Sequence, residues 1–248
     1  MRIDVSKASC LPLSSSGKVE IGGKCAGCKI EVSTGLQWHS LPRKKEEPQK
    51  RIRLCPLCHH SQHLDHAGVL NSGVMIWLPE IEQGTLNLIC SLVFAATSEH
   101  RQKSAASKTA LSSVDDGDGT KDITEARQVQ HLENIFRTFV SRSESLSAVT
   151  GFRNSTVDVT NPAFIAQMII QARDKGKLSV NTIHERVDGL RYLPMPKAFV
   201  DFRKVVSKEV LSQFPLGKWL EMIPDQTVGV VNQVPVISLA AMDNHEAD

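Results

Sequence analysis

At 248 residues, with 41% hydrophobic and 23% charged residues, the chain can build one large domain or two modest ones. Aromatic residues make up only 5%, so any core depends on Leu, Val and Ile, and a net charge of +2 gives no bulk-charge argument for nucleic acid. No run of ~18 apolar residues is present, which argues against a membrane-spanning helix.

Residues 1–23 are polar and Ser-rich, and are expected to form a flexible arm without the apolar core of a signal peptide. Cys25-Ala26-Gly27-Cys28 follows, answered by Cys55-Pro56-Leu57-Cys58-His59. Each CxxC turn can present two thiolates on one side, and two such knuckles make the tetrahedral sulfur cage that Zn²⁺ prefers. Cys25, Cys28, Cys55 and Cys58 are therefore the expected ligands of one structural zinc. Zinc-type spacing without a secretory signal points to a reducing compartment, hence the cytoplasm. Cys10 and Cys90 stand alone, and Cys90 reads as a small buried apolar side chain.

Between the knuckles, residues 36–42 (LQWHSLP) predict a short strand ending at Pro42. Residues 43–53 (RKKEEPQKRIR) hold six Lys/Arg against two Glu, a solvated loop in the first reading and a nucleic-acid contact in the second. After the second knuckle, HHSQHLDH predicts a short helix with His59 and His63 on one face at i, i+4. Val74 to Leu78 read as a strand stopped by Pro79. Ile81, Leu88, Ile89, Leu92, Val93 and Ala96 then predict an amphipathic helix over 82–97.

Residues 98–121 are small, polar and rich in Ser, Asp and Gly, the composition of a linker. Their Asp115-Asp116-Gly117-Asp118-Gly119 run lacks the ligand order of a calcium loop. The helical region, 122–214, opens with a stripe of Val129, Leu132, Ile135, Phe136, Phe139 and Val140. Asn161-Pro162 signals a helix start with Asn at the N-cap, and Gly176 a stop. Thr182 and Glu185 are spaced like a capping box for a third helix with Ile183, Val187 and Leu190. A fourth helix is expected after Pro196. The C-terminal extension, 215–248, contains the β-branched stretch VGVVNQVPVISLAA, which could add as an edge strand to this protein or a partner.

The residues between and after the knuckles follow the order of an HNH, or ββα-metal, nuclease motif. His39-Ser40-Leu41-Pro42 matches its H-x-x-P, with His39 at the position of the general base. Cys55-x2-Cys58-His59-x3-His63 resembles its final element, whose two His could hold a metal. Trp38 stands where a ligand is expected and Lys50 where an Asn is expected, so the catalytic centre is degenerate and the structural zinc complete. On this reading His39, His59 and His63 are vestigial positions, and His59, His60, His63 and His66 serve as surface or capping residues of a retained fold. The expected architecture is α+β, an HNH-like zinc module (24–97) packed with a mainly helical second half.

Further phrases extend the likeness: Met75-Ile76-Trp77-Leu78-Pro79-Glu80-Ile81, Leu86-Asn87, Asn161-Pro162-Ala163-Phe164, Leu190-Arg191-Tyr192-Leu193-Pro194 and Phe202-Arg203-Lys204. Their succession after two CxxC knuckles resembles the IcmJ (DotN) family of type IVB secretion systems and their conjugative-plasmid counterparts, over roughly 25–206. The resemblance implies a non-catalytic, zinc-stabilised adaptor, cytoplasmic and peripheral to an inner-membrane secretion complex. Its partners would be the coupling ATPase and associated adaptor proteins. Two alternatives remain at this point. One is an active endonuclease with His39 as base and His59 and His63 on the metal. The other is a zinc-ribbon nucleic-acid binder using Arg43, Lys44, Lys45, Lys50, Arg51 and Arg53.

Overall fold

The computed structural model describes residues 22–33, 35–41, 50–109, 119–146, 150, 158–176, 179–200 and 212–213. Among these residues helices dominate, with three small antiparallel pairs of strands between them, an α+β architecture.

The first half is built around turns. Strands β1 (Gly23–Lys24) and β2 (Glu31–Val32) flank the first knuckle, and Gly23 pairs with Val32. Strands β3 (Gln37–Ser40) and β4 (Arg51–Leu54) form a second hairpin, with His39 opposite Ile52. The strand expected over 36–42 is thus present. The segment expected to be a charged loop ends instead as a strand, because Arg51-Ile52-Arg53-Leu54 alternates and Leu54 is buried. Residues 42–49, with Arg43, Lys44 and Lys45, lie outside the described residues.

The second knuckle opens helix α1 (Pro56–His60), with Pro56 in the first turn where its missing N–H costs nothing. The helix expected to run on through the histidines stops there. Residues 61–63 form a turn, and His63 takes the N-cap position of α2 (Leu64–Val69) without a side-chain capping bond. Strand β5 (Gly73–Trp77) follows as expected before Pro79.

Helix α3 spans Gln83–Thr109, well beyond the stop expected near residue 97. Residues 98–109 were expected as linker, yet they carry no Gly or Pro, and a Glu99–Lys103 ion pair of 3.3 Å bridges one turn. Helix α4 (Gly119–Ser141) returns along α3, and Leu132, Ile135 and Phe139 of its predicted stripe are buried. The Asp-rich run before Gly119 lies outside the described residues, as do residues 1–21 of the N-terminal arm and the stretch 214–248, while the end of the arm enters β1 at Gly23.

Helix α5 (Pro162–Asp174) starts as predicted: Asn161 Oδ1 accepts from the Ala163 N–H at 2.9 Å. Gly176 follows its end in the left-handed region at φ 64°. Helix α6 (Val180–Val187) is capped by Ser179, whose Oγ accepts from the Thr182 N–H at 3.1 Å. Thr182 and Glu185, expected as the capping box, therefore lie inside the helix. Leu190, expected on that helix, instead begins strand β6 (Leu190–Pro194), and all five of its residues are buried. A helical turn over 196–200 follows, and the rest of the expected fourth helix falls outside the described residues.

Strand β6 holds the two halves together. It pairs with β5 from Gly73↔Pro194 to Trp77↔Leu190. One continuous core joins the knuckle cysteines, α3, Val129, Leu132 and Ile135 of α4, and Phe199. A second core gathers α2, α5, Trp77 and Tyr192. The zinc-type module and the helical half therefore share a core, as expected from strands too small to bury their own faces.

Candidate metal centre

The first knuckle is a tight turn closed by two backbone bonds. The Cys25 N–H donates to Ile30 O at 2.8 Å, and the Lys29 N–H to Cys25 O at 3.0 Å. Lys29 takes up a left-handed backbone (φ 66°) to close it. Helix α1 presents the second knuckle, with Cys55 at its N-cap and Cys58 one turn on. The ligand atoms of Cys25, Cys28, Cys55 and Cys58 all lie within 4.8 Å of one another, and all four residues are buried.

Cys28 Sγ and Cys55 Sγ are 3.7 Å apart, too far for a disulfide. That separation is close to the ~3.8 Å edge of a sulfur tetrahedron with ~2.3 Å metal–sulfur bonds. All five described cysteines are free. The cage also carries the donors a thiolate set needs: the Cys55 N–H points at Cys25 Sγ (3.2 Å), and Asn87 Nδ2 donates to Cys58 Sγ (3.3 Å). Hydrogen bonds from Cys28, then Cys55 and Cys58, hold the Cys25 thiol far below its ordinary range. Burial pushes Cys55 the other way. Four buried sulfurs at this spacing are the donor set that a divalent cation takes up as thiolates.

A buried polar chain supports this cage from behind, and the sequence reading assigned it no role. Asn87, one turn along α3 from Gln83, accepts from Gln83 Nε2 at 3.0 Å. Gln83 also brackets the Tyr192 backbone, donating to its carbonyl at 2.7 Å and accepting from its N–H at 2.8 Å. Gln83 and Asn87 are fully buried. Two amide side chains four apart, continued by Ser91 on the same helix face, were the available signal.

The five histidines between His39 and His66 divide into two groups. His39, His59 and His63 come together, each offering a ring nitrogen within 4.8 Å of the others. Ring centroids of His59 and His63 are 4.4 Å apart, and His39 lies 5.4 Å from His63 and 6.1 Å from His59. His39 and His59 are only 3% and 5% exposed, so the expectation of a surface or capping residue fails for His59. The strand and the turn after α1 fold these side chains against each other. Burial, then the neighbouring His63, lowers the pKa of His59 to about 3 and keeps its imidazole neutral. His60 and His66 are half-buried and pair separately, with centroids 6.0 Å apart.

The other predicted positions scatter. Trp38 is 42% exposed and does not join the His group. Lys50 closes the β3–β4 hairpin through its backbone, Lys50 O accepting from the Leu41 N–H at 2.9 Å. Arg51 is exposed, whereas Arg53 is half-buried and its carbonyl accepts from the Ala26 N–H at 2.9 Å. No helix among the described residues is long and apolar enough to cross a membrane. No protein-family model matches the chain, and no curated protein matches it in sequence.

Proposed function

We propose that the chain is a zinc-stabilised, non-catalytic adaptor that docks on the coupling ATPase of a type IVB secretion or plasmid-conjugation complex. It would act on the cytoplasmic face, together with the other adaptor proteins of that complex. The observation that carries this reading is the four-cysteine cage. Its four protein ligands fill a tetrahedral ion, leaving no open position for substrate, and Asn87 and Gln83 tie it to β6. Such a centre contributes folding free energy and presents surfaces. The partner itself comes from the resemblance in residues 25–206. Co-expression with a coupling ATPase encoded in the same operon tests it: the two should co-purify under gentle conditions. Recovery of the chain alone, with that ATPase abundant, overturns it.

One observation favours a second reading, a metal-dependent endonuclease: His39, His59 and His63 are gathered at one place. That reading requires divalent-ion-dependent nicking of plasmid DNA that disappears in His39→Ala. No nicking at high protein concentration removes it.

A further inference from the structure

We infer that His39, His59 and His63 form a second metal site, distinct from the cysteine cage, in which all three imidazoles are ligands. The site selects a nitrogen-preferring divalent ion such as Zn²⁺ or Co²⁺.

Three histidines reach this site from three separate pieces of chain. His39 comes from β3, His59 from α1, and His63 from the turn before α2. Their ring nitrogens lie within 4.8 Å of one another. Around a tetrahedral ion with ~2.05 Å metal–nitrogen bonds, ligand nitrogens sit ~3.3 Å apart, so closure asks for shifts of about an ångström. The group contains no carboxylate among the described residues, which disfavours Mg²⁺ and Ca²⁺. His63 is half-buried while the other two are almost fully enclosed, so the ion is reached from the His63 side. Three protein ligands leave a fourth position for water or a small anion.

Assigning His39 as a ligand has a chemical consequence. Its lone pair goes to the metal and is not available to take a proton from water. The site therefore binds metal without the general base that the nuclease reading assigns to His39. The two centres are also linked, because Cys58 and His59 are consecutive in α1. A metal on the cysteines fixes α1 and so places His59.

The inference stands apart from the adaptor reading, since ATPase co-purification and metal count can fail independently. The test is metal content of the full chain by elemental analysis after loading with Zn²⁺ alone or Co²⁺ alone and desalting. About two ions per chain are expected, falling to about one in His39→Ala, His59→Ala and His63→Ala. The far-UV circular dichroism of those variants should be unchanged. In the Co²⁺ form, thiolate charge-transfer bands should persist in all three variants while the absorption of the nitrogen site is lost. His39→Gln, which keeps a polar side chain on β3, serves if His39→Ala unfolds, and it should also drop to about one ion. A wild-type chain that holds only about one ion overturns the second site. Retention of the second ion in both His39 variants overturns His39 as a ligand.

Discussion

Asn87 Nδ2 lies 3.3 Å from Cys58 Sγ, an amide proton aimed at a metal-site sulfur from the wall of a 27-residue helix. A thiolate accepts such a bond more strongly than a thiol, so the contact strengthens when the ion is bound. Asn87→Leu keeps the volume and removes the donor. Its expected effect is a loss of ~10–100-fold in metal affinity, read by chelator competition, with helical content preserved. Unchanged affinity would show that the contact is packing alone.

Removing a ligand is a harsher change. Cys55→Ser should abolish metal binding at the cysteine cage and unfold the first half, because Cys55 is fully buried and its backbone also donates to Cys25 Sγ. Structural zinc sites contribute on the order of ~10 kcal/mol to small modules, so the shared core will not compensate. Elemental analysis and proteolysis of residues 24–66 measure both outcomes together.

The first knuckle rests directly on α3. A Cβ at Gly84 would lie 2.5 Å from Gly27 O, a backbone atom that cannot swing aside. Gly84→Ala should therefore cost about 2 kcal/mol and also weaken metal binding. Gly176→Ala makes a useful contrast, since its Cβ would meet open space at φ 64°. Only backbone strain of about 1 kcal/mol is expected there, with metal affinity intact. Urea titrations of the two variants separate the effects.

Arg142, at the end of α4, is nearly buried and pairs with Glu80 at 2.7 Å just after β5. Glu80→Ala leaves that guanidinium without its carboxylate in a dry place, for an expected loss of about 2 kcal/mol after allowing for the partial exposure of Glu80. Replacing both residues by apolar ones should recover part of that loss. A double-mutant cycle followed by thermal unfolding checks both statements.

Tyr192 sets an alkaline limit. Burial raises its phenol to about 12, although the Ser72 hydroxyl 2.9 Å away pulls it partly back. In the unfolded chain the phenol ionises near ~10, so unfolding is accompanied by proton release above that pH. Its contribution is fully present below pH ~10 and falls by up to about 2 kcal/mol as pH rises toward the folded value. Tyr192→Phe should flatten this alkaline limb, measured by urea unfolding between neutral pH and pH ~11, relative to wild type.

The parts of this structure that could be read in advance are the local ones. Two CxxC turns announce their geometry within four residues, and Asn161-Pro162 caps α5 as its chemistry dictates. Strand β4 was hidden by its own charges: Arg51 and Arg53 suggest a loop, although the alternation with Ile52 and Leu54 is that of a strand. The long reach of α3 was masked because Ser and Lys resemble linker composition when tertiary partners are unknown. Strand β6 escaped notice since its reason lies far away, in β5, and its Arg191 reads as a surface residue. That arginine is in fact buried, with Nε donating to Ile81 O at 2.6 Å. The histidine group was legible as a pattern, since His39, His59 and His63 occupy the HNH-like positions, but the burial of His39 and His59 depends on the hairpin register and the turn after α1, which no local signal gives.

The pairing of Trp77 with Leu190 has a consequence for the order in which the molecule can be made. Both CxxC knuckles leave the ribosome long before β6 exists, yet Gln83 receives its backbone partner only when Tyr192 arrives, 109 residues later. The polar wall behind Cys58, from Asn87 through Gln83 to β6, is therefore complete only once the chain has been made through residue 192.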